Sequence, residues 1–133
     1  MVNSGYNKYK NNSIMTASHQ ELVLMLYNGA IKFCNQAIES LEYNKLEIVN
    51  NYLHKVQDII DEFRITLDKQ YPIAEDMDKL YEYMNWRLMQ ANVYKDKKMI
   101  EEARDMLREL RDTWKEAMTL SKSKKGNKPA SGE

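Results

Sequence analysis

The stretch Ile100-Glu101-Glu102-Ala103-Arg104-Asp105-Met106-Leu107-Arg108-Glu109-Leu110-Arg111-Asp112-Thr113-Trp114-Lys115-Glu116-Ala117 decides the fold class. Its apolar residues Ile100, Ala103, Leu107, Leu110, Trp114 and Ala117 recur at alternating gaps of three and four, the spacing of one face of an α-helix. Charges of both signs fill most of the other positions at i,i+3 and i,i+4, as on a solvated helix face. Asp96 stands in the place of an N-cap, so the spacing predicts a helix from Lys97 to about Leu120.

The same period runs back through the chain. Val49, Tyr52, Leu53, Val56, Ile59, Ile60, Phe63 and Leu67 predict a helix over about 45–69, with Asn44 as its cap. Ile48 and Ile65 lie off that stripe. Pro72 suits the first position of a third helix, whose core stripe is Ile73, Met77, Leu80, Tyr81, Met84, Leu88 and Ala91. Ser18-His19-Gln20-Glu21 is a capping box and opens a helix to about Glu42. That first helix carries apolar groups over an arc of roughly 200°, about twice a simple core stripe. It is therefore central in the molecule, or it has a second packing partner. Four such helices on short connections predict an all-α fold: an antiparallel up-down-up-down four-helix bundle over residues 16–120.

Residues 1–15 are polar and Asn-rich, interrupted by Tyr6, Tyr9, Ile14 and Met15, and read as a flexible N-terminal arm. Residues 121–133 carry four lysines and one glutamate among Ser, Gly, Asn, Pro and Ala, and read as a disordered basic tail that solubilises. In all, the chain has 133 residues, 43% hydrophobic and 30% charged, with 20 basic and 20 acidic side chains. Zero net charge argues against a protein built to neutralise phosphate, so no nucleic-acid partner is expected. No apolar run reaches the roughly 20 residues that span a bilayer, and the N-terminus does not read as a secretory signal. A cytoplasmic protein without membrane insertion is the expectation.

Catalytic and cofactor motifs are missing. Gly5, Gly29, Gly126 and Gly132 are too scattered for a phosphate loop. Thr16 and Asn51 precede His19 and His54 by three, so no Glu-x-x-His di-iron pair exists. Both histidines read as surface groups, and the single Cys34 as a small core hydrophobe. No enzyme, metal or cofactor is expected.

The stronger signal is a surplus of apolar groups. Nine methionines and nine tyrosines are many for this length. Met77, Met84 and Met106 fit core gaps. Trp86, Met89 and Val93 lie opposite the core stripe of the third helix, flanked by Tyr83 and Tyr94. A groove for a partner's apolar segment explains them, and so does a homodimer interface or an enlarged core. Taking residues that exceed one stripe, the candidate partner-binding set is Tyr83, Trp86, Met89 and Val93, with Ile48, Tyr52 and Ile65 of the second helix and Tyr27 and Ile31 of the first.

Four strings, in order, resemble one family. Tyr9-Lys10-Asn11-Asn12-Ser13-Ile14-Met15-Thr16-Ala17-Ser18 is similar to its N-terminal signature, and Leu24-Met25-Leu26-Tyr27-Asn28-Gly29-Ala30 to its first-helix motif. Leu80-Tyr81-Glu82-Tyr83-Met84 with Arg87-Leu88-Met89-Gln90-Ala91-Asn92 resembles the third-helix motif, and Arg111-Asp112-Thr113-Trp114-Lys115 the closing one. The family is the flagellin-specific export chaperone, FliS, of bacterial flagellar type III secretion. The chain departs from it in His19, where many members have Pro, and in a shorter link through Tyr71-Pro72. The resemblance implies a non-enzymatic helical bundle that binds the disordered C-terminal region of flagellin in the cytoplasm and masks it until export. It also implies that Tyr6, Tyr9 and Ile14 of the arm cover the groove, or dock to the cytosolic domain of the export gate. The alternative is a helical-bundle homodimer or a regulatory adaptor for another helical partner.

Overall fold

A computed structural model describes residues 18–126, with side chains through Ser121. Its four helices are α1 (His19–Glu42), α2 (Leu46–Thr66), α3 (Ile73–Tyr94) and α4 (Lys97–Gly126). The expected arm, with Tyr6, Tyr9 and Ile14, and the last residues of the tail lie outside the described residues.

Local chemistry sets most helix ends. At Ser18 the capping box is complete: the Glu21 N–H donates to Ser18 Oγ (3.2 Å) and the Ser18 N–H donates to Glu21 Oε1 (3.1 Å). Asp96 caps α4 through Oδ1, which accepts from the N–H groups of Lys98 (2.9 Å) and Met99 (3.2 Å). Asn44 does not cap α2 as expected. It adopts a left-handed conformation (φ 56°) and closes α1 instead. Its N–H reaches the Leu41 carbonyl (2.9 Å) and that of Lys45 reaches Ser40 (2.9 Å), the paired bonds of a Schellman motif. Asparagine tolerates left-handed backbone, so the end of one helix claims it before the start of the next. Lys45 becomes the N-cap residue of α2 and offers no side-chain cap.

Helix α2 ends at Thr66, three residues short of the expected Lys69. The Thr66 hydroxyl lies near the Glu62 (3.0 Å) and Phe63 (3.2 Å) carbonyls, and Leu67 turns extended. Pro72 precedes α3 by one residue, and Ala74 rather than Ile73 continues the buried stripe back from Met77. Ile73 is exposed. Helix α4 runs past Leu120 to Gly126, so the tail begins as helix rather than as unstructured chain. Its stripe is buried at Ile100, Ala103 and Leu107, half-buried at Leu110 and Trp114, and exposed at Ala117, because the far end outruns its neighbours.

Cross-helix contacts give the directions. Against α4, residues 42, 35, 28 and 20 of α1 meet residues 97, 104, 111 and 114 in reverse order. Between α1 and α2, Phe33 stacks on Tyr52, Ile59 lies over Gly29, and Tyr27 meets Phe63. Between α2 and α3, Asn50 pairs with Asn92, Gln57 with Asn85, and Arg64 with Asp78. Each pair is antiparallel, and the chain returns to α1 through α4. The buried core runs down the middle, with Leu53, Ile60, Met84, Leu88, Ile100 and Leu107 fully enclosed. Helix α1 packs extensively on both α2 and α4. That use takes up most of its wide apolar arc, while Leu22 and Leu24 stay half-buried outside the core cluster.

Candidate functional site: the outer face of helix α3

Successive residues of a helix are about 100° apart, so Trp86, Met89 and Val93 share the side of α3 opposite Met84, Leu88 and Ala91. The structure leaves them 47%, 48% and 68% exposed. Tyr83 adjoins them, its ring 5.9 Å from that of Trp86. Tyr94 extends the surface beside Val93 and is equally open.

Polar bonds on both flanks fix this face outward. Toward α4, Arg87 Nε donates to Glu102 Oε2 (2.7 Å), and the Tyr83 hydroxyl donates to the same oxygen (3.1 Å). Toward α2, Asn85 Nδ2 donates to Asp61 Oδ1 (2.7 Å), and Gln57 Nε2 donates to the Asn85 carbonyl (3.3 Å). Arg64 grips Asp78 with Nε (2.9 Å) and Nη2 (3.3 Å). That bond holds the Asp78 carboxyl below the usual carboxylate range, against a smaller opposing effect of desolvation.

The other expected site residues are distributed differently. Ile65 and Ile48 are both exposed on α2. They are 17 residues apart, about 25 Å along the axis at 1.5 Å per residue, and about 100° apart around it, so they do not share one patch. Tyr52 is half-buried against Phe33, and Lys55 Nζ lies 5.3 Å from the Phe33 centroid and 5.6 Å from that of Tyr52. Tyr27 and Ile31 are core residues rather than groove residues. The helix that carries them lies between α2 and α4, and both neighbours cover it. The Tyr27 and Tyr81 hydroxyls share a buried hydrogen bond (3.0 Å), and the Phe63 ring lies 4.5 Å from one ring and 5.5 Å from the other. Burial raises the phenol pKa of both.

Cys34 is buried, and desolvation pushes its thiol up to about 12 despite Arg104 and Arg108 nearby, so it is an inert packing group. Among the described residues no group of three or more His, Cys, Asp or Glu is placed to hold a metal ion, and no helix is long and apolar enough to cross a membrane. What the surface offers is apolar contact area on a rigid helix.

The family model described as flagellar protein FliS matches residues 1–121. The flagellar secretion chaperone FliS of Bacillus subtilis is 38% identical over 117 residues, covering 88% of each chain. The protein of the same name from Escherichia coli is 32% identical over 109 residues, covering 80% of each, and that of Salmonella typhimurium is 34% identical over 107. With the family model matching residues 1–121 and relatives at 32–38% identity over most of the chain, the chain belongs to the FliS family of flagellar secretion chaperones.

Proposed function

We propose that this chaperone binds the C-terminal region of flagellin on the outer face of α3, masks it from premature polymerisation in the bacterial cytosol, and delivers it to the type III export gate. The supporting observation is the stripe Tyr83, Trp86, Met89 and Val93, apolar and held outward by polar bonds on both flanks. An amphipathic segment laid along such a face buries it by the i, i+3, i+4, i+7 pattern that helices use for helices. Ile65 extends the contact onto α2. A disordered client that folds as it binds loses several kcal/mol to ordering, which limits affinity and favours release at the gate. The arm, through Tyr6, Tyr9 and Ile14, covers the face when the client is absent and contacts the cytosolic domain of the gate when it is present.

Titration calorimetry with a peptide of the cognate flagellin's C-terminal region tests this reading. One-to-one binding with a large negative heat-capacity change is the expected result. A folded protein that gives no heat with that peptide overturns it. Sedimentation of the free protein then shows whether the same stripe joins two copies of this chain, the competing use of the surface.

A further inference from the structure

Tyr83, Trp86 and Met89 are three residues apart, so each step turns about 60° around the axis of α3. Tyr83 ends that row on the α4 side, where its hydroxyl donates to Glu102 Oε2 (3.1 Å). Met89 ends it toward α2, near Asn85 and Asn92, whose side chains are bonded to α2. Trp86 and Val93 lie between. A helical client seated on Trp86, Met89 and Val93 therefore has the Tyr83 ring as its border. That ring is held from α4, a helix that supplies none of the apolar stripe.

One carboxylate holds two side chains at this border. Tyr83 and Arg87 are one turn apart on α3, and Glu102 meets both. Its Oε2 accepts from the Tyr83 hydroxyl and from Arg87 Nε (2.7 Å), and Oε1 lies 3.2 Å from the same nitrogen. The bond to Arg87 is short, as a bond between two charged groups is. It fixes Glu102 where Tyr83 reaches it. Tyr94 gives the contrast. It lies eleven residues further along α3, only about 20° from Tyr83 around the axis. Among the described residues no side-chain hydrogen bond holds it, and it is 68% exposed against 42% for Tyr83.

We propose that Glu102 is a positioning residue for client binding: it touches no client, but it holds the Tyr83 ring beside Trp86 and so builds the border of the surface before the client arrives. The two rings stand 5.9 Å apart between centroids, at 37° to each other. The inference rests on reading the outer face of α3 as the client surface. A Tyr83 ring released from Glu102 turns among its rotamers in the free protein, and the client must then immobilise it. The cost of immobilising one such side chain on association corresponds to about 2- to 12-fold in Kd.

The test is a double-variant cycle on the full chain: wild type, Tyr83→Phe, Glu102→Ala and both together. Calorimetry with the flagellin C-terminal peptide gives Kd, NMR of the Trp86 indole N–H reports the ring pair in the free protein, and urea unfolding gives stability. Tyr83→Phe keeps the ring and the Arg87–Glu102 pair and removes only the hydroxyl. It should weaken binding about 2- to 12-fold and shift the indole signal. Glu102→Ala should weaken binding at least as much, and the double variant no more than Glu102→Ala alone. Stability should move little, since a half-exposed ion pair contributes little to it. Additive losses of binding refute the proposal, because Glu102 then acts by some route other than Tyr83. So does a binding loss that tracks a loss of stability across the variants, which makes Glu102 merely structural. Unchanged Kd in both single variants, with the wild type binding, removes the proposal and leaves the client surface standing. A wild-type chain that gives no heat with the peptide overturns the client surface itself.

Discussion

Replacing Trp86 by alanine separates a binding surface from a packed core more sharply than any other single change. The indole is 47% exposed in the free protein. A tryptophan brings about 150–250 Å² to an interface, so roughly 70–120 Å² of Trp86 remains for a partner to cover. At about 25 cal/mol per Å² this is about 2–3 kcal/mol. Trp86→Ala should therefore weaken binding of the flagellin C-terminal peptide about 30- to 150-fold. Trp86 is not part of the core cluster, its ring lies 5.9 Å from that of Tyr83, and alanine regains about 0.5 kcal/mol of helix propensity, so folding should fall by no more than about 2 kcal/mol. Leu88→Ala is the reference, two positions away and fully buried. It should lower folding stability by about 2–5 kcal/mol through the cavity it leaves, with Kd changed far less at temperatures where the variant stays folded. Calorimetric titration gives Kd, and urea unfolding followed by circular dichroism gives stability. A Trp86→Ala protein whose Kd moves less than threefold refutes the assignment of this face. A Trp86→Ala folding loss as large as that of Leu88→Ala makes Trp86 a core residue.

Other consequences are equally specific. Tyr81→Phe leaves the buried Tyr27 hydroxyl without its partner and should lower stability by about 1–3 kcal/mol, while the Tyr27→Phe, Tyr81→Phe double variant should recover part of the loss; a purely additive cycle by urea unfolding would show that the shared bond contributes nothing. Because Arg64 depresses the Asp78 pKa, its stabilisation is present above the unfolded value and is lost as pH falls through the folded one; the melting-temperature gap between wild type and Asp78→Asn should be open at about pH 6 and close below about pH 3.9. Cys34, buried and with its thiol pushed up to about 12, should resist iodoacetamide in the native protein and react in urea; fast native labelling would show that α1 opens from the bundle.

Several features were readable from sequence because their causes are local. The capping box at Ser18 and the cap at Asp96 involve residues within three positions of each other, and both form as expected. The stripes on α2, α3 and α4 follow from one period. What periodicity cannot state is how many neighbours a face will have. Tyr27 and Ile31 exceed a single core stripe and one partner helix would leave them bare, yet α1 has two partners and both residues are buried. Asn44 suits a left-handed helix end as well as an N-cap, and only the paired bonds to Ser40 and Leu41 decide between them. The overrun of α4 was hidden for a third reason. Ser, Lys and Gly composition reads as solvated chain, but lysine is also a good helix former once a helix is already propagating. Ile48 and Ile65 were grouped because both leave the α2 stripe, although their spacing around the helix already set them apart.

An exposed apolar stripe raises the question of why the bundle does not turn α3 about its axis and bury it. Such a turn would gain little, since it would bring Trp86, Met89 and Val93 inward only by carrying Met84, Leu88 and Ala91 outward. It would also pull Tyr81 away from the Phe63 ring and from the buried Tyr27 hydroxyl. The polar bonds at the edges of the helix favour the same rotation. Turning α3 would separate Arg87 from Glu102, Asn85 from Asp61 and Arg64 from Asp78 together. Each is weak on its own, but all three favour the same rotation. They also lie at the edges of the helix, where they leave the outer stripe free. The seam between α1 and α2 needs no such bonds, because Phe33, Tyr52, Tyr27 and Phe63 fit there in one way. Polar side chains therefore flank α3 on both edges and leave its second apolar face exposed.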